Sequence, residues 1–194
     1  MSTTTVTRQQ MEQVVDGIAS SSHCQAGAVI ALSGALAAAL GQATANGTLA
    51  VGASGEAAEA ARQMQLRLTD IRARFLALAD QDASAIGELV RRRESGQALR
   101  GYQQLCDGPR DMAEQALAAA RLMQDFRASV CERTHDDLEF TITLMSGVAR
   151  AAGQLLDSNL RIWPLPELVA QYNPVVDSLM ARIDALQPVT RIRR

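Results

Sequence analysis

Two carboxylates stand at spacings that could do acid–base chemistry. Along residues 55–94 the apolar positions Leu68, Ile71, Phe75 and Leu78 step by threes and fours, and the stripe then passes through Asp82 to Ile86 and Leu89. Along 135–161 the same step joins Asp137, Thr141, Leu144, Val148, Ala152, Leu155 and Asn159. A helix of that period turns one stripe towards its neighbours, so both acids are expected on core-facing seams. A carboxylate taken out of water is costly unless it is paired, hydrogen-bonded or neutralised. Gathered in one pocket, the two would raise each other's pKa towards the range of a general acid or base. Each has a structural alternative as well. Asp137 follows Thr134 by the three residues of a capping box, and Asp82 could pair with an arginine. His23 and His135 are the only histidines. An imidazole titrates near pH 6.5, about right for proton transfer in neutral solution, so His23 joins the two acids as a catalytic candidate. Its alternative is a solvated loop histidine.

The elements that must position these groups are helical. The periodicity predicts helices over 8–20, 28–46, 55–94, 109–133, 135–161 and 165–187, and no alternating strand. Gly47, Gly52 and Gly55 mark a loop; Asp107-Gly108 leads into Pro109, which suits a first helical turn. Pro164 and Pro166 close one helix and open the last, and Pro174 should kink that last helix or mark its start. The run from Gly27 to Gly41 is uncharged and built of small residues, with Gly34, Ala38 and Gly41 at helical spacing. Its apolar part falls short of the roughly 20 residues of a membrane span. A helix buried at the centre of an all-α bundle, on a dimer axis, is expected instead.

Composition agrees with one domain over residues 1–194, residues 1–7 being expected to be disordered. All 19 basic residues are arginine, which excludes a lysine Schiff base. The net charge of −2 offers no field for nucleic acid or an anionic membrane. Cys24, Cys106 and Cys131 are odd in number and far apart, so no disulfide framework is expected. The polar start, Met1 to Gln13, has no apolar signal core, and the cytoplasm is the expected location. No His or Cys pair has metal-ligand spacing, and phosphate-loop, dinucleotide and nucleophile-elbow motifs are missing.

Four segments carry a family resemblance. They are Gly27 to Leu40, Asn46-Gly47-Thr48-Leu49, Leu78-Ala79-Asp80-Gln81-Asp82-Ala83, and Asp137-Leu138 followed by Asn159-Leu160. In order and spacing they resemble the Gly/Ala-rich helix, Asn-x-Thr, Asp-x-Asp-Ala and late-helix elements of the formiminotransferase-cyclodeaminase family. The stand-alone methenyltetrahydrofolate cyclohydrolases share that cyclodeaminase fold. The resemblance implies an all-helical homodimer that binds a tetrahydrofolate one-carbon adduct without a metal. An acid there assists ring closure with loss of ammonia, or hydration and opening of the methenyl bridge. By position Asp82 and Asp137 resemble the pocket acids, with Gly27, Gln25, Asn46, His135, Asn159 and Arg161 as substrate-binding candidates.

Departures from the pattern are as specific. The family's Pro-Gly-Gly-Gly-Ser reads Cys24-Gln25-Ala26-Gly27-Ala28 here, and its Gly-Lys is replaced by Ala50-Val51-Gly52. Side chains fill a loop whose bare N–H groups could meet a ligand, and a cation is lost. The expectation is a divergent enzyme acting on an iminium or one-carbon folate intermediate, with a new acceptor. That acceptor would be a ring-closing amine, water, or a carbon nucleophile in a Mannich-like step of secondary metabolism. The alternatives are a conventional cyclohydrolase or cyclodeaminase, and a non-catalytic dimeric helical partner.

Overall fold

The computed structural model describes residues 11–21, 25–97, 103–163 and 165–193. Among the described residues six α-helices and no strand are found. They are α1 (Met11–Ala19), α2 (Ala26–Ala50), α3 (Gly55–Glu94), α4 (Gln103–Phe126), α5 (His135–Ile162) and α6 (Pro166–Asp184), with a short 3-10 turn, Glu132–Thr134, ahead of α5. His23 and Cys24 lie outside the described residues, as do residues 1–7 and Pro164.

The centre of the bundle is α2, packed on α3, α5 and α4. Three of its glycines recur every seven residues, and each of these admits one side chain of the antiparallel α3. A Cβ at Gly27 would lie 2.1 Å from the Asp82 carboxylate, at Gly34 2.6 Å from the Phe75 ring, and at Gly41 2.8 Å from Leu68. Gly27, Gly34 and Gly41 thus answer Asp82, Phe75 and Leu68, two heptads running in opposite directions. At Gly41 the sulfur of Met123 in α4 closes in as well. The small residues exist because larger neighbours occupy their space.

Asn46-Gly47, expected to end this helix, lies inside it. Thr44 and Thr48 turn their hydroxyls onto the carbonyls of Gly41 and Thr44, and Gly47 receives the methyl of Thr134. At 25 residues, with a mean hydropathy of 1.6 over its most apolar 18, α2 is long and apolar enough to cross a membrane by length and composition alone. In the fold it packs as a core helix, with Val29, Ser33, Leu36 and Asn46 left exposed along one side.

The seam of α3 runs as its sequence predicts: Leu68, Ile71, Phe75, Leu78 and Leu89 are buried, with Asp82 partly buried among them. Glu56 in its first turn and Arg91, Arg92 and Arg93 in its last oppose the helix dipole, and Gly96, at φ +66°, turns the chain out. The α5 seam is corrected. Thr141, Val148 and Ala152 of the expected stripe are buried, and the face they belong to is completed by Leu138, Glu139, Ile142, Met145, Ala149, Gly153, Leu156 and Leu160. Asp137 and Leu144 are exposed, because the helix is rolled about one residue from the expected stripe.

Pro109 differs from expectation: it lies inside α4, which begins at Gln103. Pro174 does not mark the start of α6, which runs through it. Pro109 has no N–H for the carbonyl of Leu105, one turn earlier. The side-chain amide of Asn159, on α5, donates to that oxygen at 2.8 Å instead. Pro166 stands at the start of α6, as expected. The capping box at Thr134 does not form: that hydroxyl faces Cys131 Sγ at 3.2 Å and the Thr44 carbonyl, and no side-chain cap bond is made.

Candidate active site

The late half of α3 and the first turns of α4 enclose a cavity of about 1000 Å3. That is room for a cofactor-sized molecule. Asp80, Asp82, Glu88, Asp107 and Asp111 line it, against Arg74, Arg91 and Arg92, with Leu78, Leu89, Leu105 and Met112 as apolar wall. Every one of these arginines is already engaged. Arg74 pairs with Asp111 at 2.8 Å, and Arg91 and Arg92 both hold Glu88, at 2.9 and 2.6 Å. Arg110, just behind the wall, pairs in turn with Asp107 and Asp111 at 2.9 Å each, so the wall is a network of acids and arginines in which no arginine reaches Asp82 among the described residues.

Asp82 is placed by the heptad register. Its Oδ2 accepts the N–H of Ala28 at 3.0 Å, satisfying a donor at the open N-terminus of α2. Gly27 makes that approach possible, since any side chain there would meet the carboxylate. Burial pushes the Asp82 carboxyl above the usual range, and the Ala28 N–H pulls back more weakly. No ion pair reaches it among the described residues. A carboxyl of raised affinity for a proton, beside a large cavity, can give and take one near neutrality more readily than an ordinary aspartate.

The α4 wall carries a second arrangement. Tyr172 of α6 is 1% exposed and donates its hydroxyl to Asp107 Oδ1 at 2.6 Å. Burial first, then Asp107, push its phenol up to about 12, so it stays a donor. Arg110 reaches the same Asp107 oxygen at 2.9 Å and passes on to Asp111. The turn-like sequence Asp107-Gly108-Pro109 hides this acid from a reading by period. Its signal was the buried tyrosine, a polar end in need of a partner.

Asp137 does not join Asp82. It stands one turn before Thr141, which touches Gly41, and from Ala28 to Gly41 α2 covers about 20 Å at 1.5 Å per residue. The single pocket expected for both acids is thus not formed within one chain, and the exposed Asp137 does not line the cavity. Gly27 lies buried against Asp82, and Gln25, half-buried, leads into α2 without capping it. Asn46 is exposed at the other end of α2, its Oδ1 accepting from Gln65 at 2.9 Å. His135, with Asp136 3.6 Å away, borders a smaller cavity of about 240 Å3 beside Arg127 and Glu139. Asn159 is half-buried and spends a donor on Leu105; Arg161 is exposed in the last turn of α5. Among the described residues no group of three His, Cys, Asp or Glu could hold a metal ion.

A glycine-lined central helix with an acid at its N-terminus thus organises this all-helical bundle. The sequence pattern of the formiminotransferase-cyclodeaminase family matches residues 10–176, and the chain belongs to that family. The family is associated with enzymatic folate one-carbon chemistry of the cyclodeaminase kind. A comparison with curated proteins gave no match.

Proposed function

We propose that the protein is a cyclodeaminase- or cyclohydrolase-like enzyme whose substrate is a cationic one-carbon adduct of tetrahydrofolate. The observation that carries this reading is Asp82: a carboxylate without a counter-charge, its proton affinity raised, at the wall of a cavity rich in acid. An amidinium or iminium carbon held in the cavity would be the group on which it acts. Asp82 would then move the proton as water adds or as an amine closes the ring and ammonia leaves. The altered segment from Cys24 to Ala28 supports an acceptor other than water, including a carbon nucleophile in a Mannich-like step of a secondary pathway.

The reading includes a homodimer with two α2 helices side by side and antiparallel. Residues resembling the family's site are split between the two ends of α2, Asp82 and Gly27 at one, Asn46 and Asp137 at the other. Leu36, Phe140 and Leu144, at 58%, 50% and 54% exposure, supply apolar surface for such a contact. A two-fold axis near Leu36 would carry Asp137 of the partner subunit towards the Asp82 cavity. The net charge of −2 supports neither nucleic acid nor a membrane surface as a partner, and the free Cys106 and Cys131 suit the cytoplasm.

The test is turnover of 5,10-methenyltetrahydrofolate and of 5-formiminotetrahydrofolate by the purified chain, its D82N and D137N variants, and their mixture. Loss of activity in both variants is expected, with recovery to about a quarter of wild type on mixing, as half the dimers then hold one intact site. Failure to bind or convert either folate overturns the enzyme reading. Activity without recovery overturns the shared site, and hydrolysis of the methenyl adduct as fast as by an authentic cyclohydrolase under identical conditions overturns the new acceptor.

A further inference from the structure

The geometry points to Asp107 as a second substrate-contacting acid of the cavity, the one that holds the positive charge of the substrate. This rests on the folate reading above and adds a residue to it. Asp82 and Asp107 stand on opposite walls, one on α3 and the other on α4. Each has one oxygen committed to the protein: Asp82 Oδ2 to the Ala28 N–H, and Asp107 Oδ1 to both Tyr172 and Arg110. Among the described residues no partner is seen for Asp82 Oδ1 or Asp107 Oδ2.

The two acids differ in what surrounds them. Asp82 meets only a backbone donor and pays for its burial, which suits a group that exchanges a proton. Asp107 has a cation and a buried phenol fixed on one oxygen, which holds the direction of its second oxygen. Tyr172 is spent on this carboxylate from a helix 65 positions away, and its ring is among the largest side chains fully enclosed in the core. The phenol is a positioning residue: it fixes the direction of Asp107 and leaves the second oxygen for a ligand. Two carboxylates with divergent surroundings divide the work, one binding charge and the other handling the proton.

The experiment compares two folates with the same glutamate tail, 5,10-methenyltetrahydrofolate, whose one-carbon bridge is a cationic amidinium, and 5-formyltetrahydrofolate, whose one-carbon group is uncharged. Trp163, the single indole, stacks 5.4 Å from Arg93 at the end of α3 and reports binding by fluorescence. D107N keeps an oxygen for Tyr172 and removes only the charge. It is expected to weaken the methenyl adduct by about tenfold or more, the worth of a lost charged contact, with the formyl compound changed by less than about threefold. Y172F is expected to lose part of the same discrimination, and D107E to restore part of it. Thermal unfolding separates these effects from stability, D107N melting near wild type. Equal loss of both ligands in D107N, or no loss, overturns the assignment of Asp107 while leaving the folate reading intact. A D107N chain that does not fold is replaced by Y172F, and unchanged discrimination there is equally fatal. Wild type that binds neither folate removes the folate reading and this inference with it.

Discussion

Asp82 Oδ2 accepts the N–H of Ala28 at 3.0 Å, so an acid late in α3 closes the first turn of α2 from 54 positions away. One side chain therefore serves two ends: it caps the central helix and faces the cavity. The pair separates experimentally, because capping needs an acceptor oxygen while proton exchange needs a carboxyl.

Stability should record the burial of that carboxyl. Its affinity for the proton is raised by folding, so between the ordinary and the raised pKa the native state binds more protons than the unfolded one. Stability credited to Asp82 is then present at low pH and is lost as pH rises through that window. D82N keeps a capping oxygen and cannot titrate. Urea denaturation from about pH 3 to about pH 8 should show wild type losing ground to D82N with rising pH, and level above the window. The opposite slope would mean that Asp82 is held as an anion.

Gly27 should not tolerate a methyl group. A Cβ 2.1 Å from the carboxylate must drive Asp82 off Ala28. G27A is expected to cost about 1–3 kcal/mol, overpacking and a lost cap together. D82A should cost about 1 kcal/mol, and G27A added to it almost nothing more, since the obstruction is gone. Additive losses in a denaturation cycle would contradict the contact.

Asn159 stands in for the N–H that Pro109 lacks. N159A should cost about 1–3 kcal/mol by orphaning the Leu105 carbonyl. In a P109A background the backbone can make its own bond, and the same change should cost less. Thermal unfolding of the four proteins measures the coupling. A loss of equal size in both backgrounds would remove this account of Asn159.

Cys131 should alkylate well before Cys106. The Thr134 hydroxyl, above all, pulls the Cys131 thiol below its usual range, whereas burial and Asp107 push that of Cys106 up to about 11. Peptide mapping after brief iodoacetamide treatment of the native protein reads both sites at once. Equal labelling would mean that the region around Cys106 opens readily.

The α3 seam was legible because forty residues of steady period leave one choice of face. The α5 seam was not. Leu144 is apolar and exposed, and it drew the expected stripe away from Leu138 and Ile142. Glu139, 2% exposed, reads as a surface acid until Arg127 is seen on both of its oxygens, at 2.6 and 2.8 Å. Pro109 misled for a related reason: a proline is a local signal, and the amide that lets α4 run through it lies on another helix. Asp82 followed from its own helix; Asp107 needed a tyrosine of α6 that no local pattern ties to it.

The matched sevens of α2 and α3 work like a toothed rack. Sliding one helix by a turn would drive Phe75 and Leu68 against side chains where glycines now receive them, so the Asp82 wall cannot creep. The opposite wall has no such teeth, and its Asp107, Arg110 and Asp111 are held by side-chain contacts that single substitutions can redraw. A change of ligand preference in a chain built this way is free to run through α4 and through the rewritten segment ahead of Ala28, while the register of α3 on α2 holds Asp82 in place.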